Sequence, residues 1–147
     1  MQETHLGPND LPNPPLPGRL VVVASTNTSS CSRKGGVAIA TRPDVCADPI
    51  QLPHLPTIDA CAVAVHFNEK SSASLVCVYV APGSASPAQQ LELIWQALPR
   101  ERPVIWAGDF NPSGWQYGEF TEAVGAVEAN DDTAATYLSG AHRTCPD

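Results

Sequence analysis

Proline is the feature that most limits what this chain can fold into. Fifteen prolines and ten glycines are spread over 147 residues. Proline fixes φ and has no backbone N–H, so it is excluded from helix interiors and central strands. Only short elements fit between such breaks. Residues 8–18 (PNDLPNPPLPG) hold five prolines and read as a surface loop. Residues 42–57 read as another proline-broken connection. The length suits one modest domain rather than two.

The stretches between the breaks have clear patterns. Leu20–Ala24 (LVVVA) is β-branched and predicts a strand, followed by a Ser/Thr-rich turn over 27–34. Gly35-Gly36 opens a second strand over Val37–Ala40. In Ile58–Phe67 (IDACAVAVHF), Cys61, Val63, Val65 and Phe67 share one face and Ala62, Ala64 and His66 the other. A polar turn over 68–74 leads to Leu75–Val80 (LVCVYV), apolar on both faces, as a strand inside a sandwich requires. After a loop over 81–85, Ser86 is a good N-cap, Pro87 suits the first helical position and Gln89 completes a capping box. Leu91, Ile94, Trp95 and Leu98 then give one buried helix face, ended by Pro99. Val104–Ala107 is a strand, Phe120–Glu128 a weaker helix diluted by Gly125, and 136–147 is irregular by pattern. The sum is mixed α/β with five or six short strands and one good helix.

Charge and cysteine usage remove several functions. Eight Lys and Arg against fifteen Asp and Glu give a net charge of −7, which argues against a strong nonspecific nucleic-acid binder. It leaves room for an enzyme that reaches phosphates through a bound cation. No apolar run reaches the ~18 residues of a membrane span, and no secretory signal is visible. The five cysteines (31, 46, 61, 77 and 145) are odd in number and lack zinc-knuckle spacing. Cys61 and Cys77 read as small buried hydrophobes, and neither a redox nor a zinc role is assigned. The histidines (5, 54, 66 and 142) carry no pattern, and His66 reads as a packed or edge residue.

Chemistry is concentrated at Gly108-Asp109-Phe110-Asn111, directly after a strand. Gly108 allows a tight turn or close approach to a ligand. Asp109 can bind a hard cation or orient water, and Asn111 offers both a donor and an acceptor. An ordinary Asx turn ahead of Pro112 explains the tetrapeptide equally well. Glu3, in Gln2-Glu3-Thr4, reads alone as a solvated charge, and Tyr79 as a core-edge residue. Thr136 and Pro146-Asp147 are uninformative alone.

In order, these segments resemble the endonuclease/exonuclease/phosphatase superfamily, most closely the apurinic-type endonuclease domains of non-LTR retrotransposons. The resemblance rests on Gln2-Glu3-Thr4, Gly35-Gly36-Val37-Ala38-Ile39, Val78-Tyr79-Val80-Ala81-Pro82 and Gly108-Asp109-Phe110-Asn111, with Thr136 and Asp147 in later positions. Tyr79 stands thirty residues before Asp109, as the resemblance leads one to expect. It implies a four-layer α/β sandwich of two mixed sheets flanked by helices, here incomplete. The family's first strand with its Asn would precede Glu3, and its closing Asp-His pair would follow Asp147. The whole chain, 1–147, therefore resembles the middle of a larger nuclease domain, with little or no activity expected alone.

The resemblance further implies that Glu3 holds Mg²⁺ (or Mn²⁺) and that Asp109 orients the attacking water. Asn111 and Tyr79 would contact the scissile phosphate, and Thr136 and Asp147 would complete the site. The implied function is phosphodiester cleavage in DNA, beside a reverse-transcriptase domain in the parent protein, without a membrane and in the nucleus if functional. Two alternatives are a phosphatase or phosphodiesterase of the same fold acting on a small molecule or lipid headgroup, and a decayed fragment without enzymatic function.

Overall fold

The computed structural model describes residues 23–25, 36–111, 118–126, 137–139 and 142–144, with side chains over 36–111 and 118–126. The chain order is β1 (Val23–Ser25), β2 (Val37–Ile39), β3 (Cys46–Ile50), β4 (Ile58–Asn68), β5 (Ser71–Val80), α1 (Pro87–Ala97), β6 (Val104–Asp109), α2 (Gly118–Val124), β7 (Tyr137–Ser139) and β8 (His142–Thr144). The main sheet runs β3-β4-β5-β6, antiparallel except for the parallel pair β5–β6. That pair needs a crossover, and α1 supplies it. The fold is α/β, and three layers of the expected sandwich are present among the described residues: helices, the mixed sheet, and the β1–β2 ribbon.

Period-2 alternation sorts the strand side chains into two cores. Ile58 and Ala62 of β4 and Val76, Val78 and Val80 of β5 meet Leu91, Ile94 and Leu98 of the helix and Phe120 of α2. On the helix side Trp106 of β6 also meets Phe120 edge to face, with ring centroids 5.3 Å apart. The opposite face joins Cys61, Val63, Cys77 and Tyr79 to Val37 and Ile39 of β2. This explains why LVCVYV is apolar on both faces.

Several sequence expectations are corrected. The 42–57 connection contains β3, which tolerates Pro49 because it pairs on one side only in the described sheet. The polar turn shrinks to Glu69-Lys70, since β5 begins at Ser71; Ser72–Ser74 accept strand geometry because β4 pairs with them. Phe67 leaves its predicted face: the ladder shifts between His66 and Asn68, and Phe67 is 66% exposed. Ser86 does cap α1, but in a left-handed conformation (φ 52°) with no side-chain cap bond, so no capping box forms. Gln90 braces that end instead, donating to the Thr57 hydroxyl at 2.8 Å and the Ala85 carbonyl at 3.0 Å. The weaker helix starts two residues early, at Gly118, and ends at Val124. The C-terminal stretch contains the β7–β8 hairpin, whose strands are too short to show periodicity.

Candidate functional site

Strand β6 does not stop at Ala107; it continues through Gly108 and Asp109. Gly108 is therefore a strand residue rather than a turn. Its φ is +154°, and a Cβ there would overlap the Val78 carbonyl oxygen and lie 2.8 Å from the Val78 carbonyl carbon and nitrogen. Only glycine lets β6 close this tightly on β5. The approach sets Asp109 beside Tyr79, its register partner across the parallel ladder.

Beyond Asp109 the chain turns. Asn111 has φ +53°, a left-handed conformation that asparagine adopts more readily than most residues. Its backbone N–H donates to Asp109 Oδ1 at 2.9 Å, closing an Asx turn. Its side-chain amide donates to the Val80 carbonyl at 3.0 Å and to Asp109 Oδ2 at 3.2 Å. Two acceptors thus fix which way the amide faces. The ordinary-turn reading and the functional reading of this tetrapeptide coexist, because the turn itself grips both carboxylate oxygens.

One residue escaped the sequence reading. Asp59, near the start of β4, is the register partner of Tyr79 and is only 5% exposed. Its Oδ2 accepts the backbone N–H of Gly36 at 2.8 Å, tying the start of β2 to the main sheet. Asp59, Tyr79 and Asp109 thus form one row across three adjacent strands, on the face turned toward β2. The signal was present: alternation puts Asp59 on the same face as Cys61 and Val63, and an acid is rarely placed in a core without work to do there.

The row lies at the sheet edge where β5 and β6 end. In α/β sheets that edge is where ligands bind. Among the residues whose side chains are described, the cations stand elsewhere: Lys70 is in the β4–β5 turn, and Arg100 and Arg102 precede β6, at the far end of the ladder. Arg42 is paired with Asp44 at 2.8 Å. No group of three or more His, Cys, Asp or Glu that could hold a metal occurs among the described residues. Glu3, Thr136 and Asp147 lie outside the described residues. Of the candidate site residues, Tyr79, Asp109 and Asn111 are brought together.

The family model for the endonuclease/exonuclease/phosphatase family matches residues 1–115. The chain belongs to that family. The match takes in Tyr79, Asp109 and Asn111, and with them Asp59 and the Gly36 contact. No curated protein matches the chain. Family membership and the mixed sheet together give a fold built for hydrolysis of phosphate esters or phosphodiesters.

Proposed function

We propose that the chain carries the phosphodiester-cleaving site of a divalent-metal-dependent endonuclease of the kind found in non-LTR retrotransposons, with DNA as its substrate. The observation that carries this is the Asp109–Asn111 turn held against the end of β5 beside Tyr79. A carboxylate whose two oxygens are gripped by one neighbour is a positioned acceptor for a water proton, and positioning is the larger part of general-base work.

The donor chemistry fits a hard cation. Asp109 offers carboxylate oxygens and Asn111 an amide oxygen, the ligand class of Mg²⁺ and Mn²⁺. Mg²⁺ keeps several waters and commonly takes only one or two carboxylates, so a three-ligand protein cage is not required. In this reading Glu3 would hold the ion, which leaves Asp109 to act on the water. When bound it offsets the repulsion between the phosphate and the acids of this edge and stabilises the leaving oxygen.

The chain's own residues do the rest. Asp109 takes the proton of the attacking water. Asn111 first holds Asp109 in place; it reaches the phosphate by exchanging its longer bond, the 3.2 Å one to Asp109. The phenol of Tyr79 donates to a phosphate oxygen, and the same reading gives Thr136 a substrate-binding role and Asp147 a catalytic one. The products are a 3′-hydroxyl and a 5′-phosphate. Parent-protein context follows from the same reading: a reverse-transcriptase domain that extends the new 3′-end, acting in the nucleus.

A second reading has one observation behind it. The net charge of −7 disfavours approach of a duplex, which suits a small phosphoester or lipid headgroup better. One assay separates the two: nicking of supercoiled plasmid against a panel of phosphomonoesters and headgroup phosphates, with Mg²⁺ and then with chelator. The endonuclease reading expects weak, chelator-sensitive nicking at most from this chain alone, and less still in Asp109→Asn. Nicking unchanged in that variant, or phosphomonoester turnover exceeding nicking, overturns it.

A further inference from the structure

Cys61 and Cys77 are separated in sequence but directly opposed in the β4–β5 ladder. Both are free thiols, 3% and 7% exposed, on the face turned toward β2. They form the row next to Asp59 and Tyr79 on that face. Directly opposed residues of an antiparallel pair have Cα atoms about 4.5–5.5 Å apart. A disulfide spans about 4.4–6.8 Å between Cα atoms, so the sheet already sets the backbone for a bond.

We propose that Cys61 and Cys77 are a dithiol modification site, oxidised by a hydroperoxide to a cross-strand disulfide and returned to thiols by a dithiol reductant. The Cys77 thiolate attacks the peroxide oxygen, giving a sulfenic acid on Cys77 and hydroxide. The Cys61 sulfur then attacks the Cys77 sulfur and loses its proton, and the sulfenic hydroxyl leaves as water. In total two thiols and one hydrogen peroxide give one disulfide and two waters. A dithiol reductant reverses the bond by becoming a disulfide itself.

The division of roles has a physical cause. The interaction between the two facing thiols draws Cys77 below the ordinary thiol range, while the same interaction and burial push Cys61 up. Cys77 is also the less buried of the two. Cys46 provides an internal comparison: it is exposed, and its register partner is His66 rather than a cysteine.

The test is peptide mapping of the reduced full chain after stepwise hydrogen peroxide, with free thiols alkylated in denaturant. Cleavage before Asp59 and after Lys70 separates Cys46, Cys61 and Cys77 onto different peptides. The expected result is a Cys61–Cys77 linked pair, two hydrogens lighter and reversed by dithiothreitol, with no disulfide at Cys46. Cys61→Ser should leave a sulfenic acid on Cys77 that dimedone traps, and Cys77→Ser should abolish peroxide reactivity at Cys61. A map in which Cys61 and Cys77 stay alkylated while Cys46 oxidises overturns the proposal, as does a disulfide joining Cys46 to either. The wild-type map decides this even where a variant fails to fold, and it does not depend on any nuclease activity.

Discussion

Replacing Gly108 by alanine tests the close approach of β6 to β5. The new Cβ would overlap the Val78 oxygen and stand 2.8 Å from two further Val78 backbone atoms, a separation that real Cβ atoms essentially never show. None of these is the tip of a movable side chain. Val78 is on β5, held by β4 on one side and β6 on the other, so the end of β6 must move away. That movement breaks the ladder around Val78↔Gly108 and Tyr79↔Asp109. Two lost hydrogen bonds at about 1 kcal/mol each, plus the cost of buried groups left unpaired, give about 3–5 kcal/mol. A domain of this size has only about 5–15 kcal/mol in total. With a urea slope of about 1–3 kcal/mol per molar, the midpoint should fall by about 1–5 M. Gly83→Ala is the control: its φ is +76°, but nothing lies within 4 Å of its Cβ, so it meets only the left-handed backbone cost of about 1–2 kcal/mol. If the Gly108 variant loses no more stability than the Gly83 variant, the close-approach argument is wrong.

Three further outcomes are expected. Asp59→Ala should lower stability by about 1–3 kcal/mol in thermal melts, because the Gly36 N–H loses its acceptor, whereas Asp59→Asn keeps an acceptor oxygen and should cost less. Ser74→Ala should raise the melting temperature, with a gain of about 1 kcal/mol, since the fully buried Ser74 hydroxyl has no hydrogen-bond partner among the described residues. Asn111→Gly should retain the left-handed turn and Asn111→Ala should strain it by about 1 kcal/mol, yet both should lose nicking alike because both lose the amide that grips Asp109.

Much of this was legible in the chain itself. The central strands, α1 and the Asp109–Asn111 turn follow from alternation, helical spacing and turn chemistry, which are local properties. β3 was not legible, since CADPI carries a proline and no alternation; it is a strand because β4 pairs with it. Ser86 has the right side chain for a capping box, but the left-handed entry into α1 turns it away. Asp59 was visible as an acid on an apolar face, though its meaning depends on Gly36 and Tyr79, which only the fold brings near. The Cys61–Cys77 opposition likewise depends on hairpin register, which sequence spacing alone does not set.

That register has a consequence for how the gene tolerates change. Side chains alternate faces, so inserting or deleting one residue within a strand turns every side chain beyond it to the opposite face. Between Cys61 and Tyr79 such a change would break the row, unless something absorbs it first. The ladder irregularity at Phe67 and the Glu69-Lys70 turn are such a place, at the end of the hairpin remote from Asp59. Length variation there can be taken up as an altered bulge while the row at the other end keeps its phase. The same single-residue change has no slack to consume elsewhere: between Cys77 and Tyr79 it should turn Tyr79 off the row, and between Val104 and Asp109 it should turn Asp109 off it.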